Sequence, residues 1–248
     1  MNVEIITGDL ADTDSIEKVL IGSEIVINTA PLSYSEYIIP VCQKLGIKRV
    51  LFLSSTRFYS SIDPDFQKMI QSNEERIVKS GLDYTILRPT MIYGTERDRN
   101  LTKVIRFIKK YPVLPVFGDG RNLVQPVYVK DLVCAIIQSI ESPKTVHKIY
   151  DIPGKNPVSN EEMLDTIARL LSKRLVKIHI PIDLTARILK GIAKMIPRAR
   201  YYALWVERNK ENKSYEFSKA AEDFQYSPRS FLDGIENQIH RLKDLNWI

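Results

Sequence analysis

Glycine-rich turns, paired cysteines and long apolar runs are all missing from this 248-residue chain. The ten glycines are scattered, and none forms GxGxxG, GxxGxxG or GxxxxGK[ST], so the turns that grip a pyrophosphate or a transferring phosphate are absent. Cys42 and Cys134 lie far apart with no CxxC spacing. That excludes a disulfide scaffold and a thiolate zinc site, and fits buried apolar use in a reducing, cytoplasmic compartment. His147, His179 and His240 have no partner at ligand spacing, so no metal site is expected. There is no GxSxG elbow for a hydrolase. No run approaches the ~20 apolar residues of a membrane span. The start, Met-Asn-Val-Glu, lacks the basic and apolar stretches of an export signal, so the sequons at Asn100 and Asn212 are expected to stay unmodified.

What is present is an ordinary globular composition, 44% hydrophobic and 27% charged. Lys and Arg outnumber Asp and Glu by 36 to 30, but the two signs are interspersed and no aromatic-basic stripe accompanies them, so no nucleic-acid partner is expected. Short β-rich apolar runs alternate with helical patterns, which is the signature of a parallel sheet buried on both faces. Strands are expected at 3–7, 24–30, 49–55, 83–89 and 148–152, with helices at 13–20, 34–45 and 66–80 between them. From residue 156 the pattern turns helical, at 159–172, 183–196 and 230–245, with a polar stretch before the last. The chain therefore reads as a sheet domain over 1–155 and a smaller, mainly helical cap over 156–248.

Ligands of open parallel sheets bind beyond the carboxyl ends of the strands. Polar or turn-forming residues stand at four such ends: Gly8-Asp9-Leu10, Asn28-Thr29-Ala30, Ser54-Ser55-Thr56 and Arg88-Pro89-Thr90. Each alone is an ordinary turn or cap; four in register define a candidate site.

These segments, through ITGDLADTDSIEKVLIGSEIVINTA, RVLFLSST, SGLDYTILRPTMIYG, QPVYVKDLV and KIYDIPG, resemble the extended short-chain dehydrogenase/reductase family, which includes NAD-dependent nucleotide-sugar epimerases and dehydratases. ENKSYEFSKAAEDFQYSPRSFLDGI resembles the closing segment of its sugar-nucleotide members. The resemblance implies an α/β fold with a Rossmann-like parallel sheet, N-terminally incomplete, under a smaller helical cap. It implies NAD or NADP as cofactor, with Asp9 and Leu10 beside the adenine and Asn28, Thr29 and Ala30 under the adenosine. Ser54 and Ser55 fall by the nicotinamide and the reacting carbon, and Pro89, Thr90, Met91 and Ile92 offer backbone groups to the nicotinamide amide. Arg121, Gln125 and Tyr128 face a nucleotide-sugar or other small-molecule substrate.

Two departures qualify that picture. Family chemistry needs a Tyr acid/base and a Lys one helical turn later. Counted back from Ser80-Gly81-Leu82, these positions hold Phe66 and Ile70, which carry no proton. Ser55 and Tyr59 remain as the candidate catalytic residues, and an aromatic at position 59 usually packs. The second departure is the missing strand, glycine-rich turn and helix that hold a pyrophosphate. By this count the chain is roughly the carboxyl-terminal four-fifths of a longer protein. The 24–30 strand is left as an apolar edge, to be completed by the 3–7 segment, by another copy or partner chain, or by an upstream segment. The expected function is an NAD(P)-binding epimerase/dehydratase-type or oxidoreductase-type protein impaired in catalysis. The alternative is a non-catalytic binding or scaffold subunit that keeps the fold.

Residues 182–200 form a basic amphipathic pattern, with Ile182, Leu184, Ile188, Leu189 and Ile192 near one face and Arg187, Lys190, Lys194, Arg198 and Arg200 largely elsewhere. Such a helix suits an anionic membrane. Its position within the resembling region instead makes it a cap helix whose apolar face packs on Trp205 or the sheet, so vesicle binding is expected to be indifferent to acidic lipid.

Overall fold

The computed structural model describes residues 3–98 and 100–248. Helix α1 (Thr13–Leu20) starts where the Asp12 carboxylate accepts the amide of Asp14. Strand β1 (Ile25–Asn28) follows, then α2 (Ser35–Leu45), which ends at Gly46 with φ of 72°, a left-handed turn that costs glycine nothing. Strand β2 (Arg49–Leu53), helix α3 (Pro64–Val78), strand β3 (Asp83–Pro89), helix α5 (Val129–Glu141) and strand β8 (Lys148–Ile152) complete a parallel sheet ordered β1-β2-β3-β8. Helices α2 and α3 cover one face through Val26, Val50, Phe52 and Ile86, while α5 covers Leu51 and Leu87 on the other. Arg49 ties the layers together, donating to Asp83 O, Thr85 Oγ1, Ser139 O and Thr145 Oγ1 at 2.8–3.0 Å.

Between β3 and α5 lie β4 (Ile92–Tyr93), α4 (Leu101–Lys110), β5 (Val113–Phe117), β6 (Leu123–Val124) and β7 (Val127–Tyr128). After β8 come β9 (Val158–Ser159), α6 (Asn160–Leu170), β10 (Val176–Ile180), α7 (Ile182–Ile192), α8 (Ala199–Glu207), α9 (Ser218–Phe224) and α10 (Phe231–Asp244). A separate core joins Leu101, Ile105 and Ile108 of α4 to Leu164 and Ile167 of α6 and Ile235 and Ile239 of α10.

Several expectations are corrected. Residues 3–7 form no strand: Val3, Ile5 and Ile6 are 71%, 91% and 51% exposed. An apolar run becomes a strand only with a partner for its backbone groups, and among the described residues nothing pairs with the outer edge of β1. Ile25 and Ile27 on that edge strand stay 43% and 45% exposed. The stretch before the last helix is not simply polar loop, because α8 and α9 lie within it. Cys42 is buried, which pushes its thiol pKa up to about 11, whereas Cys134 on α5 is exposed. The apolar face of α7 is only partly covered: Ile182 and Leu189 are half-buried, whereas Leu184, Ile188 and Ile192 are 42–54% exposed, and Phe117 meets Trp205 edge-on.

Candidate functional site

The carboxyl ends of β2, β3 and β8 converge on a polar cluster. Arg88, at the end of β3, points toward α3 and meets Glu74 as a fork: Nη2 to Oε2 at 2.5 Å and Nε to Oε1 at 2.9 Å. Both residues are buried, and the Arg88 guanidinium also lies 3.6 Å from the centre of the Phe58 ring. Ser54 Oγ donates to the same Glu74 Oε1 at 2.5 Å. Arg88 Nη1 donates to the Tyr59 hydroxyl at 2.8 Å, and that hydroxyl donates to Asp151 Oδ2 at 2.9 Å. The chain Ser54–Glu74–Arg88–Tyr59–Asp151 thus crosses three strand ends.

The electrostatics suit holding protons rather than moving them. Burial, then the hydrogen bond to Asp151, raises the Tyr59 pKa, and the opposing charge of Arg88 does not reverse this. Burial likewise raises the Asp151 carboxyl against the lowering effects of Tyr59 and Arg88. Asp151 Oδ1 is buried with no hydrogen-bond partner among the described residues, an acceptor left unsatisfied at the strand end. Ser55 Oγ is occupied as a cap, accepting the amide of Arg57 at 3.2 Å. Tyr215 stacks over Tyr59 with ring centres 5.6 Å apart, so the segment between α8 and α9 roofs this end of the sheet.

That roof carries Lys213, whose ammonium donates to the Arg208 carbonyl at 2.7 Å. Burial, then the charge of Arg208, pushes its pKa down to about 8. A lysine with a lowered folded pKa binds fewer protons when folded than when unfolded over the interval from about 8 to the ordinary 10.5. Stability tied to this group therefore rises with pH through that window, and the penalty is complete below it. Lys213→Met is expected to raise the unfolding free energy at pH 7 by about 1–3 kcal/mol and to lose that advantage by pH 10.5, measured by urea unfolding across the range.

Residues 1–110 match the NAD(P)H-binding family model, and residues 59–175 match that of the 3-beta hydroxysteroid dehydrogenase/isomerase family. Together the two matches span residues 1–175, over which the chain is similar to NAD(P)-binding dehydrogenase families. One curated relative, the mitochondrial NADH dehydrogenase [ubiquinone] 1 alpha subcomplex subunit 9 of Arabidopsis thaliana, is 29% identical over 70% of this chain and 48% of its own length. The chain spans about half the length of the curated relatives it matches first. The fold is that of an epimerase from Methanothermobacter thermautotrophicus, with TM-score 0.79 at 16% identity over 99% of this chain and 80% of that one. It is also that of the Bacillus cereus UDP-glucuronic acid 4-epimerase solved with UDP-glucuronic acid and NAD, with TM-score 0.73 at 17% identity over 96% and 80%.

Against the family pattern, the positions of the proton-handling pair are filled with packing residues. Phe66, in the first turn of α3, carries the Arg57 guanidinium 3.5 Å over its ring, and Ile70, one turn on, is 2% exposed in the sheet core. Of the residues expected beside the adenosine, Asn28 Oδ1 accepts the amide of Ala30 at 3.2 Å, shaping the turn that contains Thr29, and Asp9 Oδ1 accepts the amide of Ala11 at 2.9 Å. Leu10 beside it is 37% exposed. In the segment expected to meet the nicotinamide the backbone is largely engaged: Thr56 Oγ1 donates to Pro89 O, Thr90 N to Ile152 O, and Val127 N to Met91 O, while Ile92 pairs with Val127.

The three substrate-side candidates separate. Gln125 is 3% exposed and joins the roof to the sheet, its side chain accepting the amide of Tyr215 and donating to Gly154 O, each at 2.8 Å. Tyr128 is buried under the Arg229 guanidinium and against Tyr93. Arg121 lines a different cleft, of about 500 Å³, with Glu161 and His179. The motif pattern did not anticipate Glu74, Asp151 or Lys213. The available signal for the network was Arg88 itself, a charge inside the otherwise apolar strand TILRP.

Proposed function

We propose that this chain is a cofactor-binding member of the family that no longer performs hydride and proton transfer. The observation that carries the reading is the pairing of Phe66 and Ile70 at the proton-handling positions with a Tyr59 hydroxyl already donating to Asp151. NAD or NADP, where bound in this family, supplies the hydride; every proton must come from the protein. Tyr59 and Tyr215 are phenols at this strand end, and burial raises the pKa of both, opposite to what a general base near neutral pH needs. Ser54 donates to Glu74, a carboxylate whose charge is held by the Arg88 fork, and Ser55 Oγ serves as a cap for the amide of Arg57. The residues present fit the two ends of a dinucleotide better than its middle. Asp9, Leu10 and the Asn28–Ala30 turn would hold the adenosine, and Ser54 and the orphaned Asp151 Oδ1 would meet the nicotinamide end. No glycine-rich cradle for the pyrophosphate exists among the described residues.

A role as a binding subunit of a larger assembly draws support from the similarity to a NADH dehydrogenase subunit and from the open edge of β1, where another polypeptide would complete the sheet. Nucleotide sugars are the substrate class by the likeness to the epimerases, bound rather than converted. Calorimetric titration with NADH and NADPH tests the cofactor reading. Saturable heat with either is expected; no heat at millimolar cofactor would remove cofactor binding and leave only the scaffold role.

A further inference from the structure

Helices α7 and α8 pack together as a hairpin, yet they bury only Ala186 on α7 and Ala199, Ala203 and Val206 on α8. Ile182, Leu189 and Leu204 are half-buried, but most of the remaining large apolar side chains face outward. Leu184, Ile188 and Ile192 recur at helical spacing along α7 and are 53%, 54% and 42% exposed. In the connection, Met195 and Ile196 are 89% and 56% exposed, and on α8 Tyr201, Tyr202 and Trp205 are 69%, 58% and 49% exposed. Single exposed apolar residues are ordinary, but eight on one helical hairpin mark an interaction surface.

The charges beside this surface decide what it meets. Arg187, Lys190 and Lys194 form a second stripe on α7, and Arg198 and Arg200 flank the start of α8. The only acidic residues on the two helices, Asp183 and Glu207, are held by Lys210 and Lys190. Among the described residues, no carboxylate lies within ion-pair distance of Arg187, Lys194, Arg198 or Arg200. Protein interface cores are depleted of lysine, and a second copy would set this stripe against its own like charge. An apolar stripe bordered by unpaired cations, with Tyr and Trp at its rim, matches the depth profile of an anionic bilayer surface: acyl chains, then headgroups, then phosphate.

We propose that the α7–α8 hairpin docks this chain on an anionic lipid surface, with Ile188 and Met195 entering the acyl boundary and Arg187 and Lys194 meeting lipid phosphates. The hairpin lies on the surface and does not cross it, since no helix among the described residues is long and apolar enough to span a membrane. This docking is independent of the strand-end site and reverses the expectation drawn from the sequence pattern.

Flotation of the full chain with vesicles of phosphatidylcholine alone, or with roughly a third phosphatidylglycerol, tests it. At least tenfold more protein is expected to float with acidic vesicles, decreasing as salt is raised. Arg187→Glu with Lys194→Glu is expected to lower the bound fraction about tenfold or more. Ile188→Glu with Met195→Glu is expected to abolish binding while leaving the thermal melt unchanged, because both side chains are exposed. Absence of flotation with acidic vesicles overturns the proposal, as does equal flotation with both compositions. A concentration-dependent dimer that Ile188→Glu prevents, with no flotation, also overturns it and assigns the face to a second copy.

Discussion

Replacing Arg88 with methionine is expected to lower the unfolding free energy by about 3–5 kcal/mol, the cost of leaving a buried carboxylate without its partner. Glu74 is 3% exposed and Arg88 8%, and the two meet through a fork with contacts as short as 2.5 Å. Methionine matches the length of the arginine stem but takes away every donor, so Glu74 keeps only the Ser54 hydroxyl. In a chain of this size the loss corresponds to a drop of about 10 °C in melting temperature. Changing both partners, Glu74→Leu with Arg88→Met, is expected to recover much of the loss, since apolar replacement of a whole buried pair is often neutral. Chemical denaturation of the two variants checks the pattern. If Arg88→Met costs less than about 1 kcal/mol, the pair is not the buried anchor described here.

The second large effect concerns regaining the family's proton relay. Phe66→Tyr is expected to be tolerated within about 1 kcal/mol, because that ring is only half-buried under the Arg57 guanidinium. Ile70→Lys is expected to cost 4 kcal/mol or more, on the order of the penalty for an uncompensated buried charge, because Ile70 is 2% exposed in the core with Ile77 and Phe52, and Glu74 one helical turn on is already held by Arg88 and Ser54. The double variant should therefore fail to fold, or fold only at alkaline pH where the amine is neutral. Urea unfolding at pH 7 and pH 10 measures this. A stable double variant at pH 7 would mean that position 70 still has the surroundings of a catalytic lysine.

Much of the sheet was legible because local signals agreed. The runs expected at 49–55, 83–89 and 148–152 are rich in β-branched and aromatic residues and are bounded by turn residues, and the structure forms β2, β3 and β8 there, with β2 ending two residues earlier at Leu53. The run at 3–7 has the same local character but no neighbour to accept its hydrogen bonds, and a partner is not written in a local pattern. Likewise α7 shows a clear apolar stripe, which periodicity alone assigns to a core; whether something covers it depends on the tertiary arrangement, and among the described residues Leu184, Ile188 and Ile192 stay 42–54% exposed. In the site, the motif around Ser54 and Ser55 was visible, as was the loss of the Tyr/Lys pair. The ion pair was not, because Glu74 and Arg88 meet only through the turn from α3 into β3. Arg88 inside an apolar strand, however, demanded a buried partner on charge grounds alone.

The central claim is a family fold whose strand-end cluster binds but cannot transfer protons, and turnover tests it most directly. The full chain would be incubated with NAD, NADH, NADP or NADPH and a set of nucleotide sugars, with cofactor redox state followed by absorbance and sugar epimers by NMR. No conversion above the protein-free control is predicted. Conversion that proceeds in the wild-type chain and is abolished by Tyr59→Phe would contradict the account, because it would require the Tyr59 hydroxyl to release the proton it donates to Asp151.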